Sequence, residues 1–290
     1  MKTIELMNIS KNYGKTQALK NIHLTFEKGK IYGLLGRNGA GKSTLLRTIT
    51  KRIQCNSGEV SYDGKNKLSD YESTNVYMTE PDSLIPEEYR LKEVFDYTKI
   101  LLADFDYSKA MDAAREFNLH LKKKVKSLST GNMSILRSIL ALYSGADFIF
   151  LDEPTLGFDV VNREIFYRRL LEVFNEKQSS IILSTHLILE VEPLLEKVIF
   201  IDKGEISLEK DMEDIQAKYF FITGPEREVM ELGKNYKILR KMHRAGFLSL
   251  VVEGNISEMP EDGVIPGVSI RPVNLQELFI ALNQNSQEVF

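Results

Sequence analysis

The 290-residue chain contains one cysteine, Cys55, so an internal disulfide is excluded. A reducing, cytosolic setting fits that usage, and Cys55, with no histidine or second cysteine beside it, reads as an inert thiol. No basic excess is present: 38 Lys and Arg stand against 41 Asp and Glu, for a net charge of −3. A nucleic-acid footprint would show as a strong basic surplus, so a nucleic-acid partner is not expected. The opening residues Met1-Lys2-Thr3-Ile4-Glu5 lack the apolar core of a signal peptide. No apolar run approaches the ~18 residues that a membrane helix needs. A membrane role would therefore require docking onto a separate membrane subunit. Internal repeats and low-complexity tracts are also missing. What remains is ordinary globular composition, 43% hydrophobic and 27% charged, in a chain long enough to bury a large core.

Three short apolar runs organise the first two-thirds. Lys30–Leu35 ends at Gly36, Asp147–Leu151 ends at Asp152-Glu153, and Ser179–Ser184 ends at Thr185-His186. Each is too short for a buried helix and rich in β-branched or aromatic residues, which fits central strands of a parallel sheet covered on both faces. Ligands of open α/β sheets bind beyond the carboxyl ends of such strands. One sheet edge would then gather Gly36–Thr44, Asp152, Glu153 and His186.

Elsewhere the pattern predicts antiparallel strands over Thr3–Ile9 and Ala18–Phe26, and a polar loop over Cys55–Tyr71. Helices are predicted over Leu91–Leu102, Tyr107–Leu119 and Asn132–Tyr143, the last with Ser129 as N-cap. Composition shifts near Asp211. Beyond it, strands at Tyr219–Thr223, Lys237–Met242 and Leu248–Glu253, a helix at Glu226–Gly233, a Gly/Pro-rich stretch from Pro260 to Pro272 and a helix at Leu275–Leu282 predict a small α+β unit.

Gly36-Arg37-Asn38-Gly39-Ala40-Gly41-Lys42-Ser43-Thr44 fits G-x-x-x-x-G-K-[ST], with an apolar strand before it and a helix (Thr44–Lys51) after it. The chemistry needs that order. Glycines let the backbone wrap phosphates with its N–H groups turned inward, and the helix N-terminus adds partial positive charge. Lys42 supplies a point charge to the β- and γ-phosphates, and Ser43 offers a hydroxyl to Mg²⁺. Asp152 and Glu153 alone could be an acidic turn ending a strand. Beside a phosphate loop in one sheet, Asp152 is a candidate for Mg²⁺ through water, and Glu153 for accepting a proton from attacking water. His186, at the next strand end, could be structural or could contact the γ-phosphate.

Across roughly residues 1 to 215 these residues resemble the nucleotide-binding subunit of ATP-binding-cassette (ABC) transporters. Leu128-Ser129-Thr130-Gly131-Asn132 looks like that family's signature, usually Leu-Ser-Gly-Gly-Gln, and Pro154–Asp159 looks like its dimer-contact loop. The resemblance implies an α/β fold: a P-loop ABC ATPase domain with a mixed sheet core, an antiparallel β subdomain and a helical subdomain, beside the small C-terminal α+β domain that the residue pattern predicts. Its expected boundaries are 1–212 for the nucleotide-binding domain, with the helical subdomain at about 81–145, and 213–290 for the accessory domain. It implies ATP and Mg²⁺ as ligands, Tyr13 stacked on adenine, His186 on the γ-phosphate, and hydrolysis with Glu153 as base. It also implies two partners: a membrane permease and a second ATPase subunit, a copy or a paralogue. The second subunit's Ser129 and Gly131 would close over ATP.

Three departures stand out. Thr130 replaces the first signature glycine, and Asn132 replaces the glutamine. Glu80, in Val76–Pro81, takes the position of the glutamine that contacts the metal and attacking water, which puts a carboxylate near the γ-phosphate. With one cassette and no apolar span, a transporter subunit bound peripherally at the inner face of the cell membrane is the leading expectation. A soluble regulatory or nucleic-acid-linked ATPase switch is the alternative. The tail Leu275–Leu282 is similar to that of bacterial exporter ATPases with separate six-span permeases, among them exporters of antimicrobial or amphipathic peptides of the phenol-soluble-modulin type.

Overall fold

The computed structural model describes residues 1–66, 73–82, 85–244, 246–255, 260 and 264–283. Parts of four expectations therefore lie outside the described residues: the end of the Cys55–Tyr71 loop, residues 83–84 of the helical subdomain, residues 261–263 of the Gly/Pro-rich stretch, and residues 245, 256–259 and 284–290 of the accessory domain. The chain divides into two units, Met1–His186 with Ile201–Ile206, and Leu187–Phe200 with the residues from Ser207 onward.

In the first unit, β1 (Thr3–Tyr13) pairs antiparallel with β2 (Thr16–Glu27). Both strands run further than the alternation of apolar residues predicts, because the two-residue turn at Gly14-Lys15 lets pairing continue to Tyr13↔Thr16. On its other side β1 pairs with β4 (Ser57–Tyr62), giving the order β2-β1-β4. The expected polar loop from Cys55 to Tyr71 is thus partly a strand. Val60 and Tyr62 are buried, and β1 supplies the hydrogen-bond edge that a polar sequence alone does not reveal.

The second sheet of this unit carries β3 (Ile31–Leu35), β5 (Val76–Thr79), β6 (Phe148–Asp152) and β7 (Ser180–Thr185), in the order β5-β6-β7-β3, all parallel. Every residue of β3, β6 and β7 is buried, which is why these runs read as continuous apolar stretches. Leu35 lies beside Thr185, and Asp152 beside Ser184, so in this register the three strands end level.

Helix α1 (Lys42–Ile49) comes after β3 and starts two residues before the expected Thr44, because Gly41, at φ 112°, caps it in the left-handed region. Three more helices are α2 (Leu91–Leu101), α3 (Tyr107–Glu116) and α4 (Thr130–Leu142). Ser129 caps α4 as expected, its hydroxyl accepting from the Asn132 N–H at 3.3 Å. The longest helix, α5 (Val160–Lys177), has no counterpart among the predicted ones. Its only buried residues are Phe166, Leu170 and Val173, a stripe too narrow to stand out among charged neighbours.

Two further strands, β8 (Lys197–Asp202) and β9 (Glu205–Asp211), are neighbours in a sheet, and their connection, Ile201–Ile206, belongs to the first unit. The second unit also contains the short helix α6 (Ile188–Val191) and α7 (Met212–Lys218). Its sheet is formed by β10 (Tyr219–Pro225), β11 (Lys237–Arg244), β12 (Phe247–Glu253) and β13 (Ser269–Pro272), in the order β11-β12-β10-β13. Helix α8 (Glu226–Gly233) places Val229 and Leu232 against Phe220, Ile222, Leu248, Leu250 and Val252, a core of its own. Helix α9 (Leu275–Asn283) closes the unit, with Phe279 edge-on to Phe200 at 5.1 Å.

Candidate functional site

The loop between β3 and α1 is shaped by steric exclusion. A Cβ on Gly36 would stand 2.4 Å from the Ile201 carbonyl oxygen, and one on Gly41 would stand 2.7 Å from that of Ala18. Only glycine fits either position. The loop is pinned by backbone hydrogen bonds from Gly204 N–H to Ala40 O (2.9 Å) and from Leu45 N–H to Gly41 O (2.8 Å).

Beside it opens a cavity of about 550 Å³. From the expected site, Asn38, Gly39, Gly41, Lys42, Ser43, Thr44, Asp152 and Glu153 line it. Gly36 and Arg37 are not among the lining residues, and their carbonyl oxygens accept from Lys42 Nζ at 2.8 and 3.3 Å. Lys42 is 6% exposed. Burial pulls its ammonium below the ordinary lysine value, and the charges of Glu153 and Asp152 oppose that pull. Its Nζ lies 3.8 Å from Glu153 Oε1.

Asp152 ends β6 and is buried. Its Oδ1 accepts from the Ser184 hydroxyl at 2.7 Å, and the Ser43 side chain also hydrogen-bonds to it. Burial nevertheless holds the carboxyl above the usual carboxylate range. A raised carboxyl pKa gives stability that is full below the ordinary value and is lost as pH rises through the raised one. Ionised Asp152 thus works against folding at neutral pH, because burial outweighs the hydrogen bonds from Ser43 and Ser184 and the charge of Lys42. Asp152→Asn keeps the acceptor for Ser184 and is expected to raise the melting temperature of the nucleotide-free chain by roughly 2–4 °C at pH 7, the shift that about 1 kcal/mol gives in a domain of this size. The same variant loses turnover. Melting curves at pH 4 and pH 7 check this: the gain must shrink at the lower pH.

Glu153 adopts φ 46°, the left-handed region, which costs a non-glycine residue of order 1 kcal/mol. Its backbone N–H donates to Ser184 O at 2.8 Å, its Oε2 accepts from Thr185 Oγ1 at 3.1 Å, and its Oε1 lies 3.0 Å from His186 Nδ1. The turn aims this carboxylate away from Asp152, so two adjacent acids meet different partners.

Several expected residues lie apart from the cavity lining. His186 reaches it only through Glu153. Tyr13 is 48% exposed, with Lys11 Nζ over its ring at 5.3 Å. Ser129 caps α4, and Gly131 packs on the loop after Glu153, where an added Cβ would be 2.5 Å from Gly157 O. Thr130, which replaces the first signature glycine, is exposed. Glu80 is drawn into ion pairs with Arg47 and Arg52.

Sequence reasoning missed Thr16, Gln17, Ala18, Lys20, Lys203 and Gly204, which complete the lining. Strand β2 and the β8–β9 connection bring them in through long-range pairing, with no local signal. The Ser184 and Thr185 hydroxyls that hold the two acids were missed as well, though they stand directly before His186.

A family model described as ABC transporter matches residues 19–156. An uncharacterized ABC transporter ATP-binding protein of Methanocaldococcus jannaschii, MJ1023, is 31% identical over 81% of this chain and 85% of its own length. The chain belongs to the ABC transporter ATP-binding proteins. The ABC transporter ATP-binding protein YtrB of Bacillus subtilis is 29% identical over 96% of this chain and 97% of its own. The lantibiotic transport ATP-binding protein SrtF of Streptococcus pyogenes is 29% identical over 72% of this chain and 91% of its own. Among solved structures, the dimeric bacterial ABC transporter cassette MJ0796 superposes with a TM-score of 0.61 at 25% identity, covering 72% of this chain and 98% of its own. As a member of this family the chain is an ATPase subunit of an ABC transporter, binding and hydrolysing ATP. No helix among the described residues is long and apolar enough to cross a membrane.

Proposed function

We propose that this ABC ATPase is half of a composite machine: two cassettes, copies or paralogues, close on two ATP molecules and drive a separate membrane permease that exports its cargo. One observation carries this reading. Within one chain, the phosphate cavity has no contribution from Ser129, Thr130 or Gly131. The γ-phosphate side is left for another subunit to cover, and Ser129 and Gly131 are the donors offered to it.

In this reading Lys42 exchanges the carbonyl oxygens of Gly36 and Arg37 for phosphate oxygens. The N–H groups of Asn38 to Thr44 line the phosphates at the start of α1, and Tyr13 stacks on adenine. Glu153, held by Thr185 and His186, takes the proton of the attacking water. His186 keeps Nδ1 on Glu153 and has Nε2 for the γ-phosphate. The Ser43 hydroxyl and the Asp152 carboxylate, already hydrogen-bonded to each other, are oxygen donors suited to Mg²⁺, which would neutralise phosphate charge there.

Helix α2 exposes Tyr97, Ile100 and Leu101, with Tyr97 stacked on Tyr89 at 5.0 Å. This face suits a short helix of the permease at the inner face of the membrane. We take residues 1–212 as the cassette and 213–290 as an accessory domain. Likeness to SrtF, whose name assigns lantibiotic transport, supports export of amphipathic peptides. Affinity purification of the tagged chain from its own membranes tests the machine: a membrane protein of about six apolar segments should co-purify. Recovery of ribosomes or DNA in its place would replace transport with a regulatory ATPase switch.

A further inference from the structure

We propose that Glu80 is a positioning residue: it fixes the tilt of α1, and with it the phosphate loop, and it does not hold metal. Glu80 follows β5 and is 8% exposed. Its Oε2 accepts from Arg47 Nε, and its Oε1 accepts from Arg52 Nη1 at 2.7 Å. Both oxygens are thus engaged by guanidinium groups, the strongest class of donor available to a carboxylate. Arg47 stands in the last turn of α1 and Arg52 lies just past its end. Arg52 Nη2 also donates to Met78 O at 2.6 Å, and Thr50 Oγ1 lies 3.3 Å from Met78 Sδ. The C-terminal end of α1 is therefore tied to β5 at several points, and Glu80 is where two of them converge.

Glu80 also faces the wrong space for a metal ligand. It lines a second cavity of about 520 Å³ with Arg52, Tyr77, Asp82 and Arg137, and takes no part in the lining around Ser43 and Asp152. A glutamine would offer the two guanidinium groups only one oxygen acceptor. The carboxylate at this position is thus matched to the arginines of this chain.

The mechanical consequence comes from the size of α1. Eight residues span about 12 Å, at ~1.5 Å per residue, and such a helix moves as a rod. Its first residues, Lys42 and Ser43, line the phosphate cavity, and its last turn carries Arg47. Releasing the far end lets the near end shift, and a misplacement of ~1 Å at a reacting centre can cost on the order of 10²-fold. This inference rests on the proposed role of Lys42 and Ser43 in facing phosphates.

The test compares Glu80→Gln, Arg47→Gln and the double variant in the full-length protein. ATP affinity is measured with Mg²⁺ and again in EDTA, beside steady-state turnover. Each single variant is expected to weaken ATP binding about tenfold by the same factor in both media. The double variant should lose less than the sum of the two single losses, since both single variants disrupt the Arg47–Glu80 contact. A loss confined to the Mg²⁺ series, additive losses, or affinities equal to wild type would each overturn the proposal. If Glu80→Gln fails to melt cooperatively, Arg47→Gln and Arg52→Gln, which keep the carboxylate, carry the same comparison. Lys42→Ala run in parallel separates the two readings: full nucleotide affinity in that variant indicts the phosphate assignment and not Glu80.

Discussion

Lys42→Ala eliminates measurable nucleotide retention and lowers ATP turnover by at least ~10²-fold, the scale set by losing one preorganised charge at a phosphoryl-transfer site. The size reflects the place of Lys42, a buried cation that the charges of Glu153 and Asp152 both act on. Lys42 faces both carboxylates of the strand-end pair, with Glu153 at 3.8 Å. Removing the ammonium takes away the cation that faces both acids, and leaves main-chain N–H groups, with Lys20 and Lys203 elsewhere in the lining, to offset their repulsion of a triphosphate. Partial burial enlarges the effect, because each charge is screened less than in water. Folding should survive. Alanine suits the first turn of α1. Titration with a fluorescent ATP analogue, alongside a melting curve, separates loss of grip from loss of fold. Micromolar retention by a folded variant would defeat the phosphate assignment.

Much of this site could be read from sequence because its parts sit where buried strands stop. Ile31–Leu35, Phe148–Asp152 and Ser180–Thr185 are buried throughout and give way to polar or glycine residues at once, so sheet edge and site coincide. What sequence could not supply was partnership across distance. Glu80 reads as a metal ligand through its place in the glutamine-loop resemblance, and nothing near it in sequence marks Arg47 and Arg52 as its partners. Only pairing of β5 beside β6 brings the segment after Thr79 onto the end of α1. Lys203 enters the cavity for a similar reason, through the hydrogen bonds of Gly204 to Ala40 and from Lys20. The fold was misread where apolar stripes are narrow or hydrogen bonds override composition: α5 buries three residues over five turns, and β4 is a polar segment recruited by β1.

Two acids side by side are divided in role by backbone conformation, and Glu153→Gln exposes that division. The left-handed φ of Glu153 turns its side chain toward Thr185 and His186, while Asp152 stays against Ser43 and Ser184. Glutamine is isosteric and keeps an oxygen to accept from Thr185, so the local fold persists. It cannot take a proton at neutral pH. Turnover is expected to fall on the order of 10²–10⁴-fold, the usual contribution of a positioned base. Nucleotide affinity should hold or rise, because one negative charge near the γ-phosphate is gone. Lys42→Ala and Glu153→Gln then abolish the same activity with opposite occupancy: one chain empty, the other loaded. Loaded chains that cannot hydrolyse should accumulate as pairs, since bound ATP is what joins each cavity to the Ser129–Gly131 segment of the opposing subunit. Size-exclusion chromatography with ATP reads this directly. A Glu153→Gln chain that binds ATP and stays monomeric would remove the composite site, and one that hydrolyses at the wild-type rate would move the base to another residue.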